Sequence, residues 1–114
     1  MNNRDFQIIS KIFKEIEVVE DLIVGFNLEK FSSDERTKRA VCMTIINIGE
    51  LTKSLTEDFK DAYNNIPWKS IAGMRDITAH KYQTLKVGDV WVTILNDIPK
   101  LKVQLNEILK DVLD

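Results

Sequence analysis

With 114 residues and a formal net charge of −2, the chain has the length of one domain with one core, and the wrong sign of charge for strong non-specific attraction to a polyanion. Glycine (4) and proline (2) are too scarce for the many tight turns of a sandwich or barrel, and 44 % hydrophobic with 30 % charged residues excludes a disordered tail. The longest uncharged run, Ala40–Gly49, falls well short of the ~20 residues a helix needs to cross a bilayer, so an all-α single domain over residues 1–114 with no membrane span is expected.

The first helix is read from Ile9, Ile12, Phe13, Ile16, Val19 and Ile23, spaced by three and four, with Lys11, Lys14, Glu15, Glu17 and Asp21 on the opposite face. Charge begins at Arg4 and Asp5 with no secretory apolar segment behind it, and a cytoplasmic protein is expected. Gly25 and Asn27 interrupt the pattern. A second helix is expected to start near Phe31–Glu35, where Ser32 and Glu35 have capping-box spacing. Its apolar face is Ala40, Val41, Ile45, Ile48, Leu51 and Leu55, and Gly49 is read as permitting a close helix approach. Cys42, the only cysteine, forms no intrachain disulfide and is expected to be a small core residue. Arg36, Lys38 and Arg39 read as a solvated face.

From Thr56 to Asn65 a turn or short helix is expected, anchored by Phe59 and Tyr63. Pro67 suits a first helical position, because its missing donor would be orphaned there anyway, and a third helix is predicted from Pro67 to about His80. Gly88 and Asp89 mark a further start with Asp89 as cap, and Trp91, Ile94, Leu95 and Ile98 give the apolar face. Pro99 is predicted to kink this helix, whose period continues through Leu101, Leu105, Ile108, Leu109 and Val112. Four main helices with short connections pack most simply as an antiparallel four-to-five-helix bundle with a kinked last helix.

The sequence has no glycine-rich phosphate loop, nucleophile elbow, paired-histidine metal motif or acidic calcium loop. Its chemistry concentrates in Arg75, Asp76, His80, Lys81 and Tyr82. On a regular helix, at ~100° per residue, Tyr82 is in line with Arg75 and His80 is about 140° away. Either the helix ends near Ala79 and re-aims the imidazole, or a symmetry-related chain supplies the complementary group. The plainer alternative makes His80 a partner of the helix dipole and Arg75–Asp76 a surface pair. Trp68 and Trp91 read as core residues rather than base-stacking platforms. Glu50 is either a solvated carboxylate or a buried partner for Arg75.

Arg75-x4-His80-x-Tyr82 resembles the Arg-x4-His-x-Tyr motif of HepT-like proteins in the HEPN superfamily. Asn47-Ile48-Gly49-Glu50, Ile66-Pro67-Trp68, Ala72-Gly73-Met74, Val90-Trp91 and Ile98-Pro99-x-Leu101 resemble the same family in order and spacing, across nearly the whole chain. The resemblance implies a helical homodimer with both motifs in one cleft. It also implies a metal-independent endoribonuclease without cofactor, acting on RNA such as tRNA or mRNA as the toxin of a toxin–antitoxin pair. Its partner would be a minimal nucleotidyltransferase antitoxin that transfers AMP to Tyr82. Asp76 stands where the family often has asparagine, and places a negative charge where a phosphate would approach.

Within that expectation the residue types fit the chemistry. RNA carries its own nucleophile, the 2′-hydroxyl, so cleavage requires proton transfer and stabilisation of a phosphorane-like transition state. An imidazole, ordinarily near ~6.5, suits His80 to the proton transfer. The planar fork of Arg75 suits the non-bridging oxygens. Asp76 and Glu50 are supporting candidates, and Lys69 and Lys81 add local positive potential. The competing expectation is a non-catalytic helical subunit that binds nucleotide or a nucleotidyltransferase partner.

Overall fold

The structure is a computed structural model that describes residues 3–79 and 85–113, with side chains for all of these except 75–79, 112 and 113. Every regular element among them is helical: α1 (Asn3–Leu22), α2 (Leu28–Ser33), α3 (Glu35–Lys53), α4 (Glu57–Ala62), α5 (Trp68–Ala79), α6 (Val87–Val92) and α7 (Ile98–Leu113). A π-helical turn, Thr93–Asp97, joins α6 to α7 without a break. No helix among the described residues is long and apolar enough to cross a membrane.

The apolar faces read from spacing supply most of the core. Leu95, read on the face of the last helix, is instead 52 % exposed and lies within the π turn Thr93–Asp97, whose wider coil breaks the ~3.6-residue period that the reading assumed. Ile9, Ile12 and Ile16 of α1 are buried with Ile48 of α3, Phe59 of α4, Ile71 of α5 and Leu105 of α7. At the other end Val19 of α1 meets Phe31 of α2, Val41 and Ile45 of α3, and Val90 and Trp91 of α6. Early α1 thus packs on late α3 and late α1 on early α3, which makes the two antiparallel. The same reasoning sets α7 antiparallel to α1, where Lys102 Nζ also donates to Glu20 Oε1 at 2.7 Å. Cys42 is buried as expected. Burial pushes its thiol above the ordinary range, Lys38 opposing the shift and Glu35 adding to it.

Three further local expectations are corrected, and the structure adds a detail at Pro99. The second long helix is not capped by Ser32. Asn27 caps the short α2, its Oδ1 accepting from the Lys30 N–H at 2.8 Å, and Ser32 lies inside that helix. Asp34 then caps α3 by accepting from the Thr37 N–H at 2.9 Å. α6 starts at Val87, with Lys86 at the cap position and no side-chain cap bond, so Asp89 lies in its first turn. At Pro99 the helix takes up the imino acid through the preceding π turn. The Ile98 N–H donates to the Thr93 carbonyl five residues back, which loosens the coil where a proline ring would otherwise press on the carbonyl of Leu95. Finally, the Arg36–Arg39 face is solvated at Arg36 and Arg39, but the Lys38 side chain is only 15 % exposed and bridges to Glu35 at 3.2 Å.

The Thr56–Asn65 segment contains α4, and a buried carboxylate fixes its start. Asp5 is 1 % exposed and accepts from both the Thr56 N–H (2.9 Å) and the Thr56 hydroxyl (2.7 Å). That hydroxyl in turn accepts from the Phe59 N–H at 3.2 Å, so one acid ties the start of α1 to the cap of α4. Asp5→Asn places an amide donor against these donors. It is expected to lower unfolding free energy by about 1–3 kcal/mol in chemical denaturation, and an unchanged midpoint would show that the buried contact contributes nothing.

Candidate functional site

α5 carries Arg75 and Asp76 of the candidate residues, and its placement is set from its first turn. Ile66 and Trp68 are buried on either side of the exposed Pro67. The Pro67 carbonyl accepts from the Ile71 N–H at 3.1 Å, so helical pairing begins there and α5 starts one residue later than the spacing predicts. The Trp68 indole Nε1–H donates to the Tyr63 carbonyl at 3.1 Å and its ring lies 6.0 Å from that of Phe59. Trp91 packs on Phe31 at 5.1 Å. Both tryptophans are core residues, as expected, and neither is a stacking platform for bases.

Ile71 and Met74 hold α5 against the core, and α3 is its main packing partner. Arg75 and Asp76 follow on this helix, Arg75 one turn beyond Ile71, with the helical backbone described as far as Ala79. His80, Lys81 and Tyr82 lie outside the described residues. Lys69 is exposed in the first turn of α5.

On the other flank of α3, Glu50 is exposed, so its carboxylate is not buried. It shares an open recess of about 520 Å³ between α1 and α3 with Lys11, Lys14, Glu15, Asn47 and Ser54. There the Asn47 amide Nδ2 donates to Glu15 Oε1 at 3.0 Å, a cross-helix bond that ties α3 to α1. Spacing did not single out this pair, since the partners are 32 residues apart. Two lysines and two glutamates balance the recess in charge, so it has no net attraction for a phosphate chain.

Ile48, Ile66, Trp68, Val90, Trp91, Ile98 and Leu101 are all buried. Outside Arg75–Tyr82, every segment that carries the family resemblance except Ala72-Gly73-Met74 therefore places at least one residue in the core, and these residues shape the helical frame.

Comparison with known proteins gives the same picture over most of the chain. The family model described as Ribonuclease HepT-like matches residues 12–108. The chain is similar to a protein of Caldanaerobacter subterraneus subsp. tengcongensis named "Putative RNase TTE0752", at 36 % identity over 90 % of this chain and 91 % of that protein. It is similar to the "Probable ribonuclease HepT" of Thermococcus cleftensis, at 34 % identity over 90 % of this chain and 93 % of that one. It is also similar to the "Putative RNase MJ0127" of Methanocaldococcus jannaschii, at 31 % identity over 89 % of this chain and 84 % of that one. No solved structure matches it.

Proposed function

The chain belongs to the HepT-like ribonuclease family, and from that premise we propose that it is the toxin of a toxin–antitoxin pair, a cytoplasmic endoribonuclease that cuts RNA without a metal ion. The observation that carries this reading is the family match over residues 12–108, within which Arg75, His80 and Tyr82 stand at Arg-x4-His-x-Tyr spacing. In the proposed reaction the 2′-hydroxyl of a ribose attacks the adjacent phosphorus, its proton is removed, and the 5′-oxygen departs with a proton. A 2′,3′-cyclic phosphate and a 5′-hydroxyl remain. His80 performs proton transfer, and Arg75 holds the non-bridging oxygens as negative charge builds on them.

One chain offers one histidine, whereas this reaction removes one proton and delivers another. A homodimer that faces two α5 ends across one cleft supplies both, with one imidazole as base and its partner as acid. Such a pairing also removes the need for Arg75 and His80 of a single helix to point the same way. Asp76 orients Arg75 or His80 in this arrangement.

The proposed antitoxin is a minimal nucleotidyltransferase. The Tyr82 phenol oxygen attacks the α-phosphorus of ATP, pyrophosphate leaves, and an AMP group stays on Tyr82. That group brings bulk and negative charge into the cleft that RNA must enter. Expressed alone, the wild-type chain is expected to arrest growth. Co-expression with the cognate nucleotidyltransferase is expected to restore growth and add the mass of one adenylyl group, AMP less one water, to the chain. Tyr82→Phe is expected to remain unmodified and to escape this control. Rescue of Tyr82→Phe equal to that of the wild type would overturn the modification mechanism, while absence of growth arrest from the unmodified chain would overturn the toxin reading.

A further inference from the structure

In the bundle α1 packs against both α3 and α7, and α5 packs along α3. The array is thereby left open between α5 and α7. A half-enclosed cleft of about 440 Å³ occupies this gap, within the ~300–1,000 Å³ of pockets that take small ligands. Ile71, Met74 and Leu101 give it an apolar floor, the first and last of them buried, while Asp97, Lys100 and Gln104 stand along its α7 side. Among the described residues these three polar side chains make no hydrogen bond or ion pair within the chain. Asp97 closes the π turn and Lys100 follows it by three residues, so the same wall of the cleft carries both a carboxylate and an ammonium.

A flat ring with a polar edge fits such a cleft, because its face covers the apolar floor and its edge meets the polar wall. The edge must present donors to the carboxylate and an acceptor to the ammonium. Guanine alone among the RNA bases carries two adjacent donors, N1–H and N2–H, beside an acceptor, O6. Adenine and cytosine would turn a ring-nitrogen lone pair towards the carboxylate, and uracil has one donor between two acceptors. A phosphate in the same place would be repelled by Asp97. The cleft also adjoins the functional helix, since Arg75 lies one turn beyond Ile71 on α5.

We propose that the α5–α7 cleft binds an unpaired guanine of the RNA substrate, with Asp97 accepting from N1–H and N2–H and Lys100 donating to O6. Gln104 supplies a further hydrogen bond at the ring edge. The source of the guanine rests on the ribonuclease reading, whereas the recognition itself does not. Sequence-specific RNA binding commonly takes this form, with a splayed base read on its Watson–Crick edge.

The test uses short RNAs that differ at one position, G against A, C and U, together with titration of 5′-GMP and 5′-AMP followed by amide chemical shifts. The wild type is expected to cleave the G-containing RNA at least about tenfold faster than the others and to bind 5′-GMP about tenfold more tightly than 5′-AMP, with shifts centred on residues 97–104. Asp97→Asn, at an exposed position, opposes a donor to N–H and is expected to remove about tenfold of both preferences; a thermal melt establishes that it remains folded. Cleavage without base preference, or an unaltered preference in Asp97→Asn, overturns the proposal and leaves the ribonuclease reading standing. Selective 5′-GMP binding at residues 97–104 in a chain that cuts no RNA supports the cleft assignment and overturns the ribonuclease reading instead.

Discussion

His80→Ala is expected to lower RNA cleavage by about 10²–10⁴-fold, the usual contribution of a positioned general acid or base. The chain has no second histidine, so the lost proton transfer has no substitute near neutral pH among ordinary side chains. In a homodimer the single substitution removes both imidazoles at once, and the loss is therefore expected near the upper end of that range. Arg75→Lys makes a companion measurement. It keeps the charge but loses the planar fork that engages two phosphate oxygens together, so it is expected to cleave more slowly than the wild type and faster than Arg75→Ala. Cleavage by His80→Ala within twofold of the wild type would place the proton transfer elsewhere.

Phe59→Ala is expected to produce the largest loss of stability, about 3–5 kcal/mol. Phe59 is fully buried at the meeting of α1, α4 and α5, with its ring 5.9 Å from Phe6 in edge-to-face geometry, 4.9 Å from Tyr63 and 6.0 Å from Trp68. Removing it leaves a cavity and forfeits three aromatic contacts, each worth about 0.5–1.5 kcal/mol beyond area burial. Against a total stability of ~5–15 kcal/mol for a domain of this size, the thermal midpoint is expected to fall by more than about 10 °C. Val24→Ala provides the contrast, since Val24 is 72 % exposed and its truncation is expected to change stability by less than about 0.5 kcal/mol. Similar melts for the two variants would mean that α4 does not anchor the bundle through Phe59.

The helices that carry the core were legible because long amphipathic segments repeat their signal. Ile9 to Val19 and Val41 to Ile48 mark one face each through several turns, and those faces are buried. α2 was missed because a six-residue helix offers only Leu28 and Phe31 as apolar positions, too few to establish a period. Its cap, Asn27, reads equally well as an interruption. Ser32 and Glu35 had the right spacing for a capping box, but Asp34 stood closer to the long helix and its carboxylate satisfied the Thr37 N–H. The π turn was marked only by Pro99, which announces a disturbance without fixing how the backbone absorbs it. Asp5 gave no signal at all, since a buried acid is defined by Thr56, 51 residues away in sequence.

The candidate site was read as residue types at fixed spacing, and Arg75, Asp76, His80 and Tyr82 fall within the matched residues 12–108. Spacing left Glu50 open between buried and solvated, and its exposure follows from its place at the mouth of the α1–α3 recess. The α5–α7 cleft was not legible, because it arises from which helices pack on which. Asp97, Lys100 and Gln104 are ordinary polar positions until the open side of the bundle brings them along one wall.

Metal-free RNA cleavage is tested most directly by incubation of the purified wild-type chain with total RNA in EDTA, followed by analysis of the product ends. Cleavage that leaves 2′,3′-cyclic phosphates and 5′-hydroxyls is expected. Activity that appears only when a divalent metal is restored, or products that end in 3′-hydroxyls and 5′-phosphates, would contradict it.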